Sequence, residues 1–256
     1  MKTELERATA FEEAMRDAAV ERAVPFRFGT ALYNDTLPVV WSLNCVRVEA
    51  GDASVEELAD EVDRLQAELP HRRIVVLDEA LGRELEEPLR ELGWKTEAFL
   101  FMVPRREPEQ PPREVEIEEV AQSDLTPLRR RILEEWLKET DEETVRQVAE
   151  MDRLYGEVGN ARHFAVFVDG EVVSSTSLFS DGRTAQIEDV ATLPEHRGQG
   201  YARALVLHAL AEARAGGHDF VFLVADARDW PKVLYRRLGF EAVGEKYDYL
   251  LHPLPE

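Results

Sequence analysis

Apolar runs and helix-like periodicity alternate through the second half of the chain. The pattern predicts strands at 114–120, 164–168, 172–179, 185–193, 220–224 and 247–251, with helices at 124–138, 142–155, 202–215 and 230–238. Asp169-Gly170 separates two of these strands and is typical of a tight hairpin turn. The alternation of the two kinds of element predicts an α/β fold.

The first half of the chain shows the same pattern. Ile74–Leu77 is a buried-strand run like Phe220–Leu223, and Leu92–Trp94 ends a helix as Leu238–Phe240 does. The members of each of these two pairs are 146 positions apart. The same shift places the helix predicted before the first strand run on the helix predicted before the second, without a gap. We interpret this as an internal repeat. The alternative is that two unrelated α/β units have similar spacing.

A proline-rich segment separates the two halves. Residues 104–112 contain prolines at three separate sites among alternating charges, a composition typical of an extended linker. We therefore predict an N-terminal domain at 1–104, a linker at 105–112 and a C-terminal domain at 113–256.

Composition narrows the class of protein. The formal net charge of -21 disfavours binding to nucleic acid or to an anionic membrane, and it makes a cationic or amine substrate plausible. The N-terminus lacks the apolar core of a signal peptide, and no apolar run reaches the length of a membrane span.

Cys45 is the single cysteine, so no internal disulfide can form, and we expect a cytoplasmic protein with Cys45 in its core. His163 and His208 belong to no metal-ligand cluster, and we expect no metal.

The strongest candidate for chemistry is the loop Arg197–Ala202. It follows a predicted strand and leads into a helix, and Gly198 and Gly200 allow the backbone to approach a ligand closely. The first N–H groups of a helix have no internal partner and lie at its positive end, where phosphate binds well. The loop by itself indicates only anion binding, because glycines at a strand-to-helix turn also serve conformation.

Three linked elements resemble the GCN5-related N-acetyltransferase (GNAT) family. The loop matches the pattern Q/R-x-x-G-x-G/A at Arg197, Gly200 and Ala202. The strand 187–194 precedes it, and 234–241 resembles the second signature, a helix with Tyr235 that ends in Leu-Gly-Phe. The resemblance covers about 113–251. It implies a mixed, twisted sheet flanked by helices and splayed between its fourth and fifth strands, with acetyl-CoA as acyl donor.

The resemblance also implies a set of cofactor-binding residues. The backbone around Val190, Ala191 and Thr192 would pair with the pantetheine arm. The pyrophosphate would lie against Arg197, Gly198, Gln199, Gly200, Tyr201, Ala202 and Arg203. Family members often carry an asparagine seven residues before the tyrosine; Arg228 occupies that position and could reach a phosphate instead.

Two residues are candidates for proton transfer. Tyr235 matches the family's tyrosine near the thiol sulfur, and we assign it as general acid; the alternative is packing on an amphipathic helix. Glu188 is the candidate base, since strand alternation would place it on the face of Val190, with Asp189 pointing the other way. Glu188 could instead orient the substrate or be a surface charge, and a chain of water molecules could replace it as base.

The repeat differs where the loop lies. Ala50–Ser54 corresponds to His196–Gly200, and Asp52 would place a negative charge against a phosphate. Leu89 corresponds to Tyr235 and has no proton to give. We expect a second, partial GNAT-like domain that has kept the fold and lost the site.

The leading hypothesis is an N-acetyltransferase that transfers an acetyl group from acetyl-CoA to a primary amine of a small molecule by direct attack, as a monomer or homodimer. The alternatives are a non-catalytic acetyl-CoA-binding regulatory module and a structural protein that binds no coenzyme A.

Overall fold

The computed structural model describes residues 2–49, 54–111, 114–136 and 141–252. Up to residue 111 the elements are α1 (Glu4–Ala19), β1 (Arg22–Phe26), β2 (Gly29–Tyr33), β3 (Cys45–Val48), α2 (Val55–Leu65), β4 (Arg72–Val76), α3 (Glu79–Glu91) and β5 (Lys95–Pro104). Then follow β6 (Glu118–Val120), α4 (Thr126–Trp136), α5 (Glu142–Val158), β7 (Arg162–Val168), β8 (Glu171–Ser180), β9 (Thr184–Thr192), α6 (Tyr201–Ala215), β10 (Phe220–Asp226), α7 (Pro231–Arg237) and β11 (Phe240–Leu251).

The chain divides into two compact units. Unit 1 comprises Met1–Phe101, Ala225–Trp230 and Ala242–Glu256, and unit 2 comprises Met102–Val224 and Pro231–Glu241. The first change of unit lies close to the boundary expected at residue 104. However, most of β11 belongs to unit 1, which the order of the sequence does not suggest.

The segment predicted as a linker makes ordered contacts inside unit 2. The backbone N–H groups of Arg105 and Arg106 both donate to the carbonyl of Gly239, at 2.8 and 3.1 Å, and Glu109 N–H donates to Arg237 O at 2.9 Å. A side chain at Gly239 would meet Arg106 O at 2.0 Å, so glycine permits this close approach. The carbonyl of Gln110 also accepts a hydrogen bond from Arg203, so the segment is packed up to Gln110.

Unit 1 contains a mixed sheet in the order β1-β2-β3-β4-β11-β5. β1, β2 and β3 are antiparallel, β3 and β4 are parallel, and β11 runs antiparallel to β4. Apolar residues of the strands pack against α2 and α3 in one hydrophobic core, in which Ile74, Leu89 and Tyr249 are fully buried. Cys45 is also fully buried, beside Leu32 and Val75, which confirms its predicted place in the core.

Unit 2 contains a sheet in the order β10-β9-β8-β7-β6. β6 to β9 are antiparallel, and β10 is parallel to β9. The hairpin between β7 and β8 turns at Asp169 and Gly170, which both have positive φ as a two-residue turn requires. The predicted α/β fold with a mixed sheet flanked by helices is confirmed. Residues 137–138, the end of one predicted helix, lie outside the described residues.

Each unit contains a parallel strand pair connected by a helix. In unit 1, α2 connects β3 to β4; in unit 2, α6 connects β9 to β10. A shift of 146 positions places Val55, the first residue of α2, on Tyr201, the first residue of α6. The spacing of the sequence repeat is therefore also the spacing of this β-α-β unit. None of the helices in the described ranges is both long enough and apolar enough to cross a bilayer.

Candidate active site

The loop between β9 and α6 contains two glycines in the left-handed region of backbone conformation. A single 3₁₀ turn, Pro194–His196, follows β9, and Gly198 and Gly200 then adopt φ of +75° and +86°. A Cβ at Gly198 would meet nothing within 4 Å, so packing does not require glycine at this position. The positive φ does favour glycine there. Gly200 is the N-cap of α6, whose first free N–H groups face the start of the helix.

β9 loses its partner on one side before it reaches this loop. In the described register it pairs with β10 from Thr184 to Ile187, whereas the strand itself continues to Thr192. On the other side it stays paired with β8 as far as Thr192. Residues 188–192 therefore have one backbone edge that β10 does not cover. This is the separation between fourth and fifth strands that the resemblance implied.

A β-bulge interrupts β9 at Asp189. The register moves from Ser177↔Glu188 to Ser175↔Ala191, and Asp189 has φ of +54°, in the left-handed region. Directly opposite residues share a face, so Ser177 lies on the face of Glu188. The Ser177 hydroxyl donates to Asp189 Oδ2 at 3.4 Å. The alternation assumed from the sequence, with Asp189 turned away from the face of Glu188, is therefore wrong, because the bulge adds a residue.

The side chains of Tyr235 and Glu188 are close enough for the charge of Glu188 to affect the pKa of Tyr235. Tyr235 is on α7, its side chain is 7% exposed, and its ring centroid is 6.4 Å from that of Phe240. Burial raises the pKa of Tyr235 well above the ordinary range, and the negative charge of Glu188 raises it further. Glu188 is half-buried, and its Oε1 accepts from Gln186 Nε2 at 2.5 Å. The arrangement places a protonated phenol near a carboxylate.

Comparison with known proteins identifies a family for part of the chain. The model of the acetyltransferase (GNAT) family matches residues 125–240. Residues 125–240 belong to the GNAT family. The matched segment includes the β9 strand, the glycine loop and Tyr235.

Three similar proteins add detail. A streptothricin acetyltransferase from Streptomyces lavendulae is 34% identical over 97 residues, which cover 36% of this chain and 51% of the relative. The chain thus spans about half the length of that curated relative. A GCN5-related N-acetyltransferase from Kribbella flavida covers 97% of the chain and 96% of its own, at 19% identity and a TM-score of 0.61. A tandem GNAT protein from the clavulanic acid biosynthesis pathway covers 78% of this chain and 70% of its own. Its sequence identity is 16% and its TM-score is 0.52. These two structures show likeness of fold.

Two arginines of the predicted pyrophosphate site, Arg197 in the loop and Arg203 in the first turn of α6, contact protein groups. Arg197 forms a bidentate ion pair with Glu135 of α4, with Nη1–Oε1 and Nη2–Oε2 distances of 2.9 and 2.7 Å. Its Nε also donates to Thr192 O at 3.1 Å. Arg203 donates to the carbonyl of Gln110. In this arrangement Arg197 ties the loop to α4, and the binding of a phosphate by the loop stays a prediction.

Arg228 lies in unit 1. Its Nη1 donates to Thr96 O at 2.7 Å, and it forms an ion pair with Glu86. Its backbone N–H donates to Asp226 Oδ1 at 2.6 Å. Every protein contact described for this guanidinium is within unit 1, and its contact with a phosphate stays a prediction.

A partly buried ionic network beside β9, in which Asp189 is exposed, was missed by sequence reasoning. Arg129 of α4 contacts Asp152 of α5 at 2.5 Å and Asp189 at 2.9 Å, and His163 Nδ1 lies 2.9 Å from the Ser177 hydroxyl. Burial raises the pKa of Asp152, and burial together with Arg129 lowers that of His163. No signal along the sequence joins these residues, since Arg129 and Asp189 are 60 positions apart. Among the described residues, no group of three histidine, cysteine or acidic side chains is placed to hold a metal ion.

Proposed function

We propose that the GNAT domain of unit 2 is an N-acetyltransferase that transfers an acetyl group from acetyl-CoA to the primary amine of a small molecule by direct attack. The observation that carries this proposal is the buried, protonated Tyr235 within electrostatic reach of Glu188, beside the uncovered edge of β9. Acetyl-CoA would supply the acetyl group, activated as a thioester.

The loop and strand fit the two polar parts of acetyl-CoA. The helix start at Gly198–Tyr201 suits the pyrophosphate, because free N–H groups and the helix dipole both favour an anion. The uncovered edge at residues 188–192 suits the amide groups of the pantetheine arm, since strand backbone offers alternating donors and acceptors. We propose the same binding residues that the resemblance implies on β9 and in the loop, with Arg197 and Arg203 acting after they leave their present partners.

Glu188 and Tyr235 would divide the proton transfers. Glu188, directly or through water, takes a proton from the ammonium group of the acceptor, so that the amine lone pair is free for attack. The new C–N bond forms as the C–S bond breaks. Tyr235 donates its phenolic proton to the departing thiolate. The acceptor nitrogen loses a second proton as the amide forms, and this proton passes through water to the tyrosinate and restores the phenol, while Glu188 releases its own proton to solvent.

The acceptor is proposed from charge and likeness. A net charge of -21 attracts cations, and an amine acceptor is cationic before it loses its proton. The Streptomyces lavendulae relative is named for streptothricin, so streptothricin belongs in a first panel of acceptors. That panel should also contain amino acids, polyamines and aminoglycosides, together with an uncharged alcohol that should not react.

The test compares the parent with Tyr235→Phe, with Tyr247→Phe as a matched control that removes a buried phenol of unit 1. Coenzyme A release is measured on each acceptor, and acetyl-CoA binding by calorimetry. We expect Tyr235→Phe to bind normally and turn over on the order of a hundredfold more slowly. Binding without turnover in the parent would instead indicate a non-catalytic acetyl-CoA-binding module. Absence of binding would indicate a structural protein.

We also propose that the N-terminal half is a GNAT-like domain that has lost its site. The repeated β-α-β unit and the buried Leu89 in the position of Tyr235 support this. The segment corresponding to the loop includes Ala50–Ala53, which lie outside the described residues. Calorimetry should therefore give one acetyl-CoA per chain, and a stoichiometry of two would contradict the proposal.

A further inference from the structure

Arg129 connects three elements of unit 2 through one guanidinium. It projects from α4, pairs with Asp152 of α5 at 2.5 Å, and pairs with Asp189 in the bulge of β9 at 2.9 Å. Its Nη2 also donates to the Ser177 hydroxyl of β8 at 3.3 Å. The Arg129 side chain is 19% exposed and that of Asp152 11%, so water screens this pair much less than a surface pair.

Asp189 occupies a backbone conformation that needs support. A non-glycine residue with φ of +54° is disfavoured by its own Cβ, and such residues persist where their surroundings hold them. The Asp189 carboxylate accepts from Arg129 and from Ser177, so these two donors act against the relaxation of the bulge. The bulge conformation is therefore fixed from outside the strand.

The bulge also determines where Glu188 lies. Asp189 N–H donates to Glu188 Oε2 at 3.3 Å, and Gln186 holds the other carboxylate oxygen. Rotation of the Asp189 backbone would remove the first contact and would change the register that follows, at Val190 and Ala191. The residue assigned as base and the proposed acetyl-CoA edge thus depend on one dihedral angle.

We propose that Arg129 is a positioning residue: by holding Asp189 in the β9 bulge against α4 and α5, it sets the orientation of Glu188 and of the strand edge that binds acetyl-CoA. This inference rests on the proposed function for its effect on rate. The forked guanidinium suits the task, because it reaches two carboxylates and a hydroxyl at fixed angles, which a lysine ammonium does not. Burial alone would lower the pKa of Arg129, but Asp189 and Asp152 raise it, in keeping with a permanently charged anchor.

The test uses Arg129→Met, Arg129→Lys and Asp189→Asn, with Arg130→Gln as control. Asparagine tolerates positive φ and keeps the shape of the residue, so Asp189→Asn removes only the charge. Arg130 is the next residue on α4, and its described ion pairs are with the exposed Glu134 and Glu142. Hydrogen exchange of the segment 186–192 and steady-state kinetics are measured for each variant.

We expect exchange in 186–192 to be on the order of tenfold faster in Arg129→Met and Asp189→Asn, and unchanged in Arg130→Gln. We expect kcat to fall at least about tenfold in the same two variants, with Arg129→Lys between them and the parent, because a misplaced reacting group costs rate. The KM for the acceptor should change less than kcat.

Unchanged exchange in 186–192 would overturn the proposal whatever the activity of the protein. Faster exchange with unchanged kcat would also overturn it, since the bulge would then not position the reacting group. If the parent catalyses no acetyl transfer, the proposed function fails, while the exchange measurement still decides whether Arg129 holds the bulge.

Discussion

Tyr235 is buried within electrostatic reach of Glu188, and both the burial and the neighbouring carboxylate raise the pKa of its phenol. Because the shift is upward, Tyr235 stays protonated at least up to the ordinary tyrosine pKa of about 10. We therefore expect no alkaline decline of kcat between about pH 8 and 10 from loss of the general acid. A decline in this range that Tyr235→Phe abolishes would contradict the upward shift.

Glu188→Gln should lower activity most where the acceptor is fully protonated. With no carboxylate to accept the proton, the variant relies on the fraction of free amine, which rises about tenfold per pH unit below the acceptor pKa. The rate ratio of parent to Glu188→Gln should consequently fall as pH rises. Glu171→Gln, which changes an exposed residue of β8, is the matched control, and its rate should show the same pH dependence as that of the parent. A ratio that is constant with pH would support a substrate-orienting role instead.

Gly198 and Gly182 allow the loop to be tested apart from backbone strain. Both have positive φ, +75° and +88°, and a Cβ on either would meet nothing within 4 Å. Alanine at either position should therefore lower the free energy of unfolding by a similar amount, about 1 kcal/mol. Only Gly198→Ala should also weaken acetyl-CoA binding, by about tenfold or more, since its methyl group lies where the pyrophosphate would approach. Chemical denaturation and calorimetry measure the two effects; equal binding by both variants would remove the loop from the site.

His71 should make unit 1 sensitive to acid. Burial lowers the pKa of His71 from 6.5 to about 4, and its Nε2 hydrogen bonds to Asn44 O at 2.9 Å. The unfolded chain then binds the proton at a higher pH than the folded chain does. The stabilisation is present above pH 6.5 and is lost as the pH falls through about 4. Between these values the free energy of unfolding should fall more in the parent than in His71→Gln, by on the order of 2 kcal/mol; parallel curves would show that His71 is not the responsible group.

Removal of the N-terminal half should not leave a stable domain. Residues 113–256 retain β11, but β11 pairs in register with β4 from Tyr247↔Val76 to Leu251↔Arg72, and Tyr249 is fully buried. Without β4, the apolar face of β11 would be exposed. We expect this fragment to aggregate or to show non-cooperative unfolding by circular dichroism and size-exclusion chromatography. A monomeric, cooperatively folded fragment 113–256 would instead favour the division at the proline-rich segment.

Much of the fold followed from local patterns. The hairpin at Asp169-Gly170, the start of α6 after Gly200 and the strand runs at Ile74 and Phe220 depend on neighbouring residues, and each lies where the sequence predicted. The repeat spacing of 146 positions was also readable, since it requires only that two stretches have the same order of elements. The loop and Tyr235 were found because their residue types are local signatures.

The features that orient the site depend on contacts between distant residues. The bulge at Asp189 changes which face its side chain takes, and it is held by Arg129 and Ser177 from two other elements. The packing of β11 with unit 1 depends on its pairing with β4, at positions about 170 residues away. The sequence by itself determined the elements and the position of the glycine loop before α6, because these depend on neighbouring residues. Only the tertiary structure decided how Glu188 is oriented, because a bulge and the ion pair that holds it are formed by residues that meet only in the folded chain.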